Sequence, residues 1–507
     1  MNRRLFQRLH NGQSIDLSGI PLLSMDTFRE SVLRSVSKNA RIAALFGTPA
    51  GDDALRLYVV LANDSSGTLS AGAVDVADSY PALTTECPQA QWFEREIAEQ
   101  WGVRPEGHPW LKPIRFHRSR RPGHDAWGRG NHEAIPPGVT DYFRVEGEEI
   151  HEVAVGPVHA GVIEPGHFRF QCRGEDVLHL EISLGYQHRG VERALTGGPN
   201  PRTPHYIETL AGDTSAGHML AYAQIVEGLS GAHPTPRAHS LRAIALELER
   251  LANHTGDLGA LAGDVGYLPT ASYCGRIRGD FLNMTALICG NRFSRGLIRA
   301  GGVAYDLEDA RAEALLTRLD AAQRDVTEAV ELLWSSPSVM ARFEGAGRLD
   351  EERCRELGLV GPAARASGIE QDVRVDFSTG IYSFVHVPVS AWPTGDVFAR
   401  ALVRWLEIRR SIEFIQGQLR SAPAGALRHE MNPMGPNRFV VSLVEGWRGE
   451  ILHAAITDDA GRFAAYKVVD PSFHNWFGLA VAMRGQPISD FPLCNKSFNL
   501  SYCGHDL

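Results

Sequence analysis

The run Gly185-Tyr186-Gln187-His188-Arg189-Gly190-Val191-Glu192, followed by Leu210-Ala211-Gly212-Asp213-Thr214-Ser215-Ala216-Gly217-His218, decides how the rest of the chain reads. Each stretch sets ionisable or small polar residues against the start of an apolar helical run. Just before them, Gly156-Pro157-Val158-His159 reads as a turn and residues 164–170 as a loop and a strand. Gly174-Glu175-Asp176 then makes a hairpin turn into a strand over residues 177–182. After them come long helices. Leu241, Ile244, Leu248 and Leu251 fall on one face, with Glu247, Glu249 and Arg250 opposed. Phe398, Leu402, Trp405, Ile408, Ile412, Ile415 and Leu419 form a second stripe, and Leu316, Leu319, Val326, Val330 and Leu333 a third. Such stripes are core packing, and they imply a long-helix bundle with a small β element at one end.

The bulk numbers set outer limits. A chain of 507 residues is long for one core and calls for two or three domains. Hydrophobic residues at 43% beside 22% charged ones place it among ordinary globular proteins. A net charge of −9 argues against nucleic acid as a partner, since that would call for a basic stripe. No apolar run approaches the roughly 20 residues that span a bilayer. Met1-Asn2-Arg3-Arg4-Leu5-Phe6 holds no apolar signal core, so export is not expected and membrane association would come through partners. The cysteines, Cys87, Cys172, Cys274, Cys289, Cys354, Cys494 and Cys503, are scattered and form no CxxC pair. They read as thiols in a reducing cytosol, with no iron–sulfur framework in this chain.

Upstream, residues 28–33 look helical and residues 56–62 look like a buried strand. Residues 92–102 form a short charged helix stopped by Gly102, with Glu94, Arg95 and Glu96 expected in structural ion pairs. Residues 116–150, rich in Arg, Gly, Pro and His, read as an irregular, solvated tether.

The two opening stretches resemble the N-terminal site segments of a family with two branches. One branch is the [NiFe]-hydrogenase large subunits; the other is the D-type subunits of NADH:quinone oxidoreductase (complex I). Further motifs match in order: residues 247–254, 295–303 and 361–369, Asp372-Val373-Arg374, Gly395-Asp396 and residues 445–450. The run from "YPALT" through "WFEREIAEQWGV" to "GHPWLKPI" is similar to the signature of the C-type subunits of complex I. A fusion of the C and D types occurs in formate-hydrogenlyase-type and hydrogenase-4-type large subunits and in some complex I enzymes. The resemblance implies an α+β fold. A small α/β docking domain of the C type would occupy residues 1–120, and a linker 121–150. A mainly α-helical domain of the hydrogenase large-subunit or D type would occupy 151–507.

A nickel–iron centre needs four thiolates, because soft sulfur holds low-valent nickel and iron. Matched to the family, Ala211 and Thr214 stand at the first cysteine pair and Ser501 and Gly504 at the second. None of these is a soft-metal ligand, so no metal is expected on this chain. Cys494, Cys503 and His505 match no tetrahedral spacing and read as two partly buried thiols and a surface histidine. Quinone reduction is the family's other chemistry. Its Tyr position falls at Gly212 and its His position near Pro165, so this chain departs at both. The remaining candidates for holding a quinone are His159, His167, Asp213 and His218, because a histidine can donate to a quinone oxygen near neutral pH.

The family glutamate of the HRGxE motif is Glu192, which there passes protons or couples charge movement. With His188 and Arg189 beside it, it is the candidate catalytic group; the alternative is a helix-start charge held by the macrodipole. The resemblance implies an oxidoreductase subunit active only within a membrane-associated complex, cytoplasmic and peripheral on the inner face of the membrane. Its implied partners are a small Fe–S subunit across the face carrying Glu192 and His218, a ferredoxin-like Fe–S subunit and membrane-arm subunits. NADH would be handled elsewhere, since no GxGxxG follows a predicted strand. A non-catalytic scaffold subunit and a true [NiFe]-hydrogenase stay open as second and third readings.

Overall fold

A computed structural model describes residues 5–51, 53–130, 132–159 and 163–507. The chain opens with β1 (Gln7–Leu9), β2 (Ile15–Asp16) and β3 (Leu22–Leu23), then helix α1 (Met25–Val36). A long antiparallel meander follows: β4 (Arg41–Ala50), β5 (Ala54–Asn63) and β6 (Thr68–Val76). The apolar runs of β4 and β5 are buried almost throughout; β5 lies inside the sheet and β4 at its edge. Sheet order is β1–β6–β5–β4, with β3 parallel to β6. Ser24 caps α1 through its hydroxyl, and the helix buries Phe28 and Val32 against the sheet. The helix expected at 28–33 and the strand expected at 56–62 are both present.

Helix α2 (Gln91–Trp101) stops at Gly102, which takes φ +68. Every residue from Trp92 to Trp101 is buried, charged ones included. Of the three expected ion pairs, only that of Glu96 forms. Glu94 accepts from the amides of Leu83 and Thr84, and Arg95 donates to the carbonyls of Lys112 and Pro113.

From 107 to 149 there is no helix or strand among the described residues; the part up to residue 127 packs on the folded body, whereas the described residues from 128 to 149 are exposed or half-exposed, as a solvated tether would be. A Cβ on Gly102 would meet the His124 backbone at 2.6 Å, and Arg121 donates to the carbonyls of Asp53 and Ala77. The arginines and aromatic rings of that first part find carbonyls and partners on the folded body, and that holds it down.

The remaining elements begin with β7 (Ile150–Val155), β8 (His167–Arg173) and β9 (Asp176–Ser183), a three-stranded antiparallel sheet turned at Gly174. Short α3 (Val191–Leu195) and then α4 (Ser215–Ser230) lead into the bundle of α5 (Pro236–Asp264), α6 (Leu268–Cys289), α7 (Asp309–Trp334) and α8 (Val397–Arg420). Thr235 caps α5 ahead of Pro236, and Asp396 caps α8. A second antiparallel sheet, β10 (Arg438–Gly446), β11 (Gly449–Thr457) and β12 (Phe463–Val469), precedes α9 (Pro471–Ala482). So two β elements flank the bundle rather than one. The N-terminal β2 pairs with β10, and Arg41 reaches Glu450, so the first hundred residues are joined to the last. Among the described residues no helix is long and apolar enough to cross a membrane.

The bundle core is ionic as well as apolar. Glu247 and Arg250, expected opposite the apolar face of α5, are fully buried. They join Glu407, Arg365, Glu445, Arg374 and Asp372 in one network of charge-assisted hydrogen bonds. Four of the motifs that carry the family resemblance meet here, residues 247–254, 361–369, 372–374 and 445–450, and the network locks these distant segments together.

Candidate functional site

Three segments converge: the loop before α3, the turn before α4, and the stretch from Ser501 to Leu507. Asp506 does the joining. Its Oδ1 accepts from the Gly185 amide at 2.8 Å, its Oδ2 from the Gln187 amide at 2.9 Å, and its carbonyl faces His188 Nδ1 at 2.7 Å. Gly185 takes φ +97, and a Cβ there would lie 2.8 Å from the Arg115 backbone, so glycine alone fits this crossing.

Glu192, on α3, is buried, but its neighbours are not those its sequence suggests. Oε1 accepts from Lys467 Nζ at 2.9 Å and the Val468 amide at 3.2 Å; Oε2 accepts from Gln100 at 3.0 Å and faces Arg120 at 3.5 Å. Lys467 also bonds both oxygens of Glu96 at 2.6 Å, and Glu96 pairs with Arg115. The result is a buried row of alternating sign, Glu192–Lys467–Glu96–Arg115. Burial alone would raise the Glu192 carboxyl; Lys467, Arg120 and Arg115 outweigh it and hold the group well below the usual carboxylate range.

Arg189 instead donates to the carbonyls of Thr209 and Leu210, and His188 stacks on His117 with ring centroids 4.7 Å apart. Burial, with the Arg115 charge nearby, pulls His188 down to about 4. The segment read as a tether thus supplies His117 and Arg120 to the site, and Arg115 stands at its start.

His218, on α4, is fully buried in a second row. Its Nε2 lies 3.1 Å from Asp470 Oδ2 and its Nδ1 lies 3.1 Å from His453 Nε2; His453 Nδ1 lies 2.8 Å from the Tyr466 hydroxyl. Burial would raise Asp470, but the His218 hydrogen bond and charge and the Arg448 charge hold it below its usual value. Burial and His218 keep His453 neutral. With Asp470 ionised, His218 Nε2 carries a proton. Two arrangements use every ring nitrogen, and in the second the Tyr466 hydroxyl turns from donor to acceptor. Tyr466 can donate to His453 and His453 to a neutral His218, or a doubly protonated His218 can donate to His453 and His453 to Tyr466. They differ by one proton, and neither leaves a ring nitrogen unbonded.

The four predicted quinone-holding residues are not brought together as a clamp. His167 Nδ1 faces the Gly156 carbonyl at 3.0 Å and its Nε2 accepts from Arg169 at 3.2 Å, so both ring nitrogens are used. His159 Nε2 faces the Gly166 carbonyl at 3.1 Å. Asp213 makes a bidentate pair with Arg448 at 2.6 and 2.8 Å. His218 is enclosed, as is Glu192, so neither forms part of an outer face. The β7–β8 loop and the turn before α4 meet at Cys503, whose thiol is raised to about 11 by burial and Glu164, with Ser501 and the Gly212 amide opposing. A Cβ on Gly212 would meet nothing within 4 Å, so that position faces open space.

The four positions matched to metal-ligating cysteines are otherwise engaged. Thr214 Oγ1 accepts from Trp447 at 3.1 Å and Arg448 at 3.3 Å; Ser501 Oγ accepts from the Gly504 amide at 2.9 Å; and Ala211 is buried. A Cβ on Gly504 would lie 2.7 Å from the Asp470 carboxylate. This donor set does not fit a nickel–iron centre. Cys494 is fully buried, and His505 is no surface histidine: it is buried with Nδ1 3.0 Å from Asp506. Lys467, His453, Tyr466 and Asp470 carry no motif that would single them out in the sequence. Strand alternation does not single them out either: Tyr466 and Lys467 are neighbours on β12 and point to opposite faces, both of which are buried.

Comparison with known proteins gives a consistent picture. Residues 264–438 match the model of the respiratory-chain NADH dehydrogenase 49 kDa subunit, and residues 32–124 that of the 30 kDa subunit. Formate hydrogenlyase subunit 5 of Escherichia coli (strain K12) is 31% identical over 442 residues, 83% of this chain and 76% of the relative. Carbon monoxide-induced hydrogenase of Rhodospirillum rubrum is 32% identical over 350 residues, 69% of this chain and 97% of the relative. NADH-quinone oxidoreductase subunit 4 of Thermus thermophilus is 30% identical over 370 residues, 68% of this chain and 90% of the relative.

Proposed function

The chain belongs to the family of complex I 49 kDa-type and hydrogenase-type large subunits, fused to a 30 kDa-type domain, and we propose that it performs redox-coupled charge and proton transfer without a [NiFe] centre. It acts as a subunit of a membrane-associated oxidoreductase, bound to a small Fe–S subunit, with a ferredoxin-like subunit and membrane-arm subunits completing the assembly. The observation that carries this reading is the row Asp470–His218–His453–Tyr466, whose hydrogen bonds can run in either direction, the two forms differing by one proton. Reduction of a neighbouring cluster adds negative charge, and the row answers by taking up a proton as its hydrogen bonds reverse direction. Glu192, held ionised, acts by its charge and carries no proton at neutral pH.

The residues present do not fit a [NiFe] centre, nor a Tyr–His clamp for quinone, so no step is routed through either. A quinone-like acceptor would approach the open side of Gly212, beside Cys503 and the Asp213–Arg448 pair. One experiment tests the reading: proton uptake on reduction of the assembled complex, followed with a pH indicator in the wild type and in His453→Phe. Uptake of one proton in the wild type and its loss in the variant supports it. A second reading, a scaffold subunit that kept the fold and lost the chemistry, is favoured by Ala211, Thr214, Ser501 and Gly504 together. Unchanged proton uptake in a normally assembled His453→Phe complex would select that reading.

A further inference from the structure

Between α2, the 107–143 segment, β9 and α9 lies a cavity of about 300 Å³ that plays no part in the site above. Its walls are aromatic: Trp92, Trp110, Phe143, Trp476 and Phe477. Trp110 and Phe143 are also among the exposed large side chains, with ring centroids 6.0 Å apart, so they form the mouth. Inside stands Arg95, nine-tenths buried and without a carboxylate partner. Its hydrogen bonds go to two carbonyls, Lys112 at 2.9 Å and Pro113 at 3.0 Å, and its guanidinium lies 4.6 Å from the Trp92 ring centroid.

The cavity's one carboxylate, Glu181, is already committed. It pairs with Lys112 and accepts from Trp110 Nε1 at 3.1 Å and the Phe143 amide at 2.8 Å. The nearby Glu99 is engaged by the amides of Ile114, Arg115 and Phe116. His179 sits against Phe143 at 4.7 Å, and burial and the Arg484 charge lower its pKa, so it is neutral. The lining holds one cation, Arg95, and one anion, Glu181, whose hydrogen-bonding capacity is taken up by Lys112, Trp110 and Phe143. Burial pulls that guanidinium down to about 10, with the charges of Glu181 and Glu99 opposing, and neither carboxylate bonds it directly. Trp92 Nε1 is also buried with no partner.

We infer that this cavity is a binding site for a small, flat aromatic anion: a ring system stacked among Trp92, Trp110 and Phe143, with its carboxylate on Arg95. The chemistry is complementary on both counts. Aromatic faces favour a planar apolar body, and a buried guanidinium lacking an anion favours one that brings its own. The site is separate from the His218 and Glu192 rows, so it stands or falls independently of the proposed function.

The test uses the full chain within its complex and 2-naphthoate as the probe, with 2-naphthamide as the uncharged isostere. Binding is read by calorimetry and by quenching of tryptophan fluorescence. We expect saturable one-to-one binding of naphthoate, at least tenfold tighter than the amide. Arg95→Lys, which keeps the charge but not the fork, should weaken naphthoate several-fold, and Arg95→Met should remove its advantage over the amide. Because Arg95 also anchors the 112–113 carbonyls, Trp110→Ala at the exposed mouth serves as a second variant and should weaken both probes. Absence of saturable naphthoate binding, equal binding of the two probes, or naphthoate binding unchanged in Trp110→Ala would overturn the assignment.

Discussion

Two buried rows run through the same part of the molecule, and they are built on opposite principles. In Glu192–Lys467–Glu96–Arg115 every member is charged and every charge faces its opposite. In Asp470–His218–His453–Tyr466 one carboxylate is followed by groups that exchange hydrogen bonds while able to stay neutral. The first joins α2 and the 107–143 segment to α3 and β12, so it spans the N-terminal domain and the large one. It has no proton to give near neutral pH, because its cations hold Glu192 ionised. The second lies wholly within the large domain, and its hydrogen bonds can run in either direction. A buried carboxylate in a motif is therefore a poor guide to where protons move, and the neighbours it acquires from distant segments decide its role.

The sharpest way to break the comparison is Lys467→Met, which strands two carboxylates in the charged row. Removing one partner of a buried pair costs about 3–5 kcal/mol, enough to lower the yield of folded chain and shift chemical unfolding. His453→Phe tests the neutral row. It leaves His218 Nδ1 and the Tyr466 hydroxyl unbonded, at a cost of about 1–3 kcal/mol. Turnover of the assembled complex should fall by about 10²-fold, the low end of what a positioned proton donor supplies.

Glu192→Gln separates the rows by pH. The folded-state pKa of Glu192 lies below its ordinary value of 4.5, so its stabilisation is present above that pH and is lost as pH falls through the folded value. The variant should be less stable than the wild type by about 2 kcal/mol at pH 7. The gap should narrow in denaturant titrations carried below pH 4.5 towards that folded value; a gap constant with pH would refute the ionised assignment.

The smallest effects come from a pair of glycines. Gly504→Ala presses on the Asp470 carboxylate, which His218 and the Ser472 amide hold in place, and should cost about 1–2 kcal/mol. Gly212→Ala meets nothing and should change thermal stability by less than about 0.5 kcal/mol.

The sequence is a good guide to the bundle and a poor one to the site, for a physical reason. Helix stripes such as Leu241, Ile244, Leu248 and Leu251 report a 3.6-residue period that survives folding unchanged. The glycine stop at Gly102 and the caps at Thr235 and Asp396 are equally local. The rows, by contrast, are assembled from partners hundreds of residues apart, such as Glu96 with Lys467 and His218 with Asp470. No local pattern announces them. Burial of Glu247 and Arg250 is hidden for the same reason: their charges are answered by Arg374 and Glu407 from other helices and turns. The start of the tether at 116–150 misleads because its composition is polar, whereas Arg120 and Arg121 find a carboxylate and carbonyls on the folded body.

The central claim is that this large subunit works by charge and proton coupling with no nickel–iron centre. Its most direct test is the nickel and iron content of the chain purified with its native partners, measured per mole of protein. The expected result is no nickel, with all iron assigned to clusters of partner subunits. One nickel per chain would contradict the claim, and would show that Thr214, Ser501, Cys503 and their neighbours bind metal in a way their hydrogen bonding does not suggest.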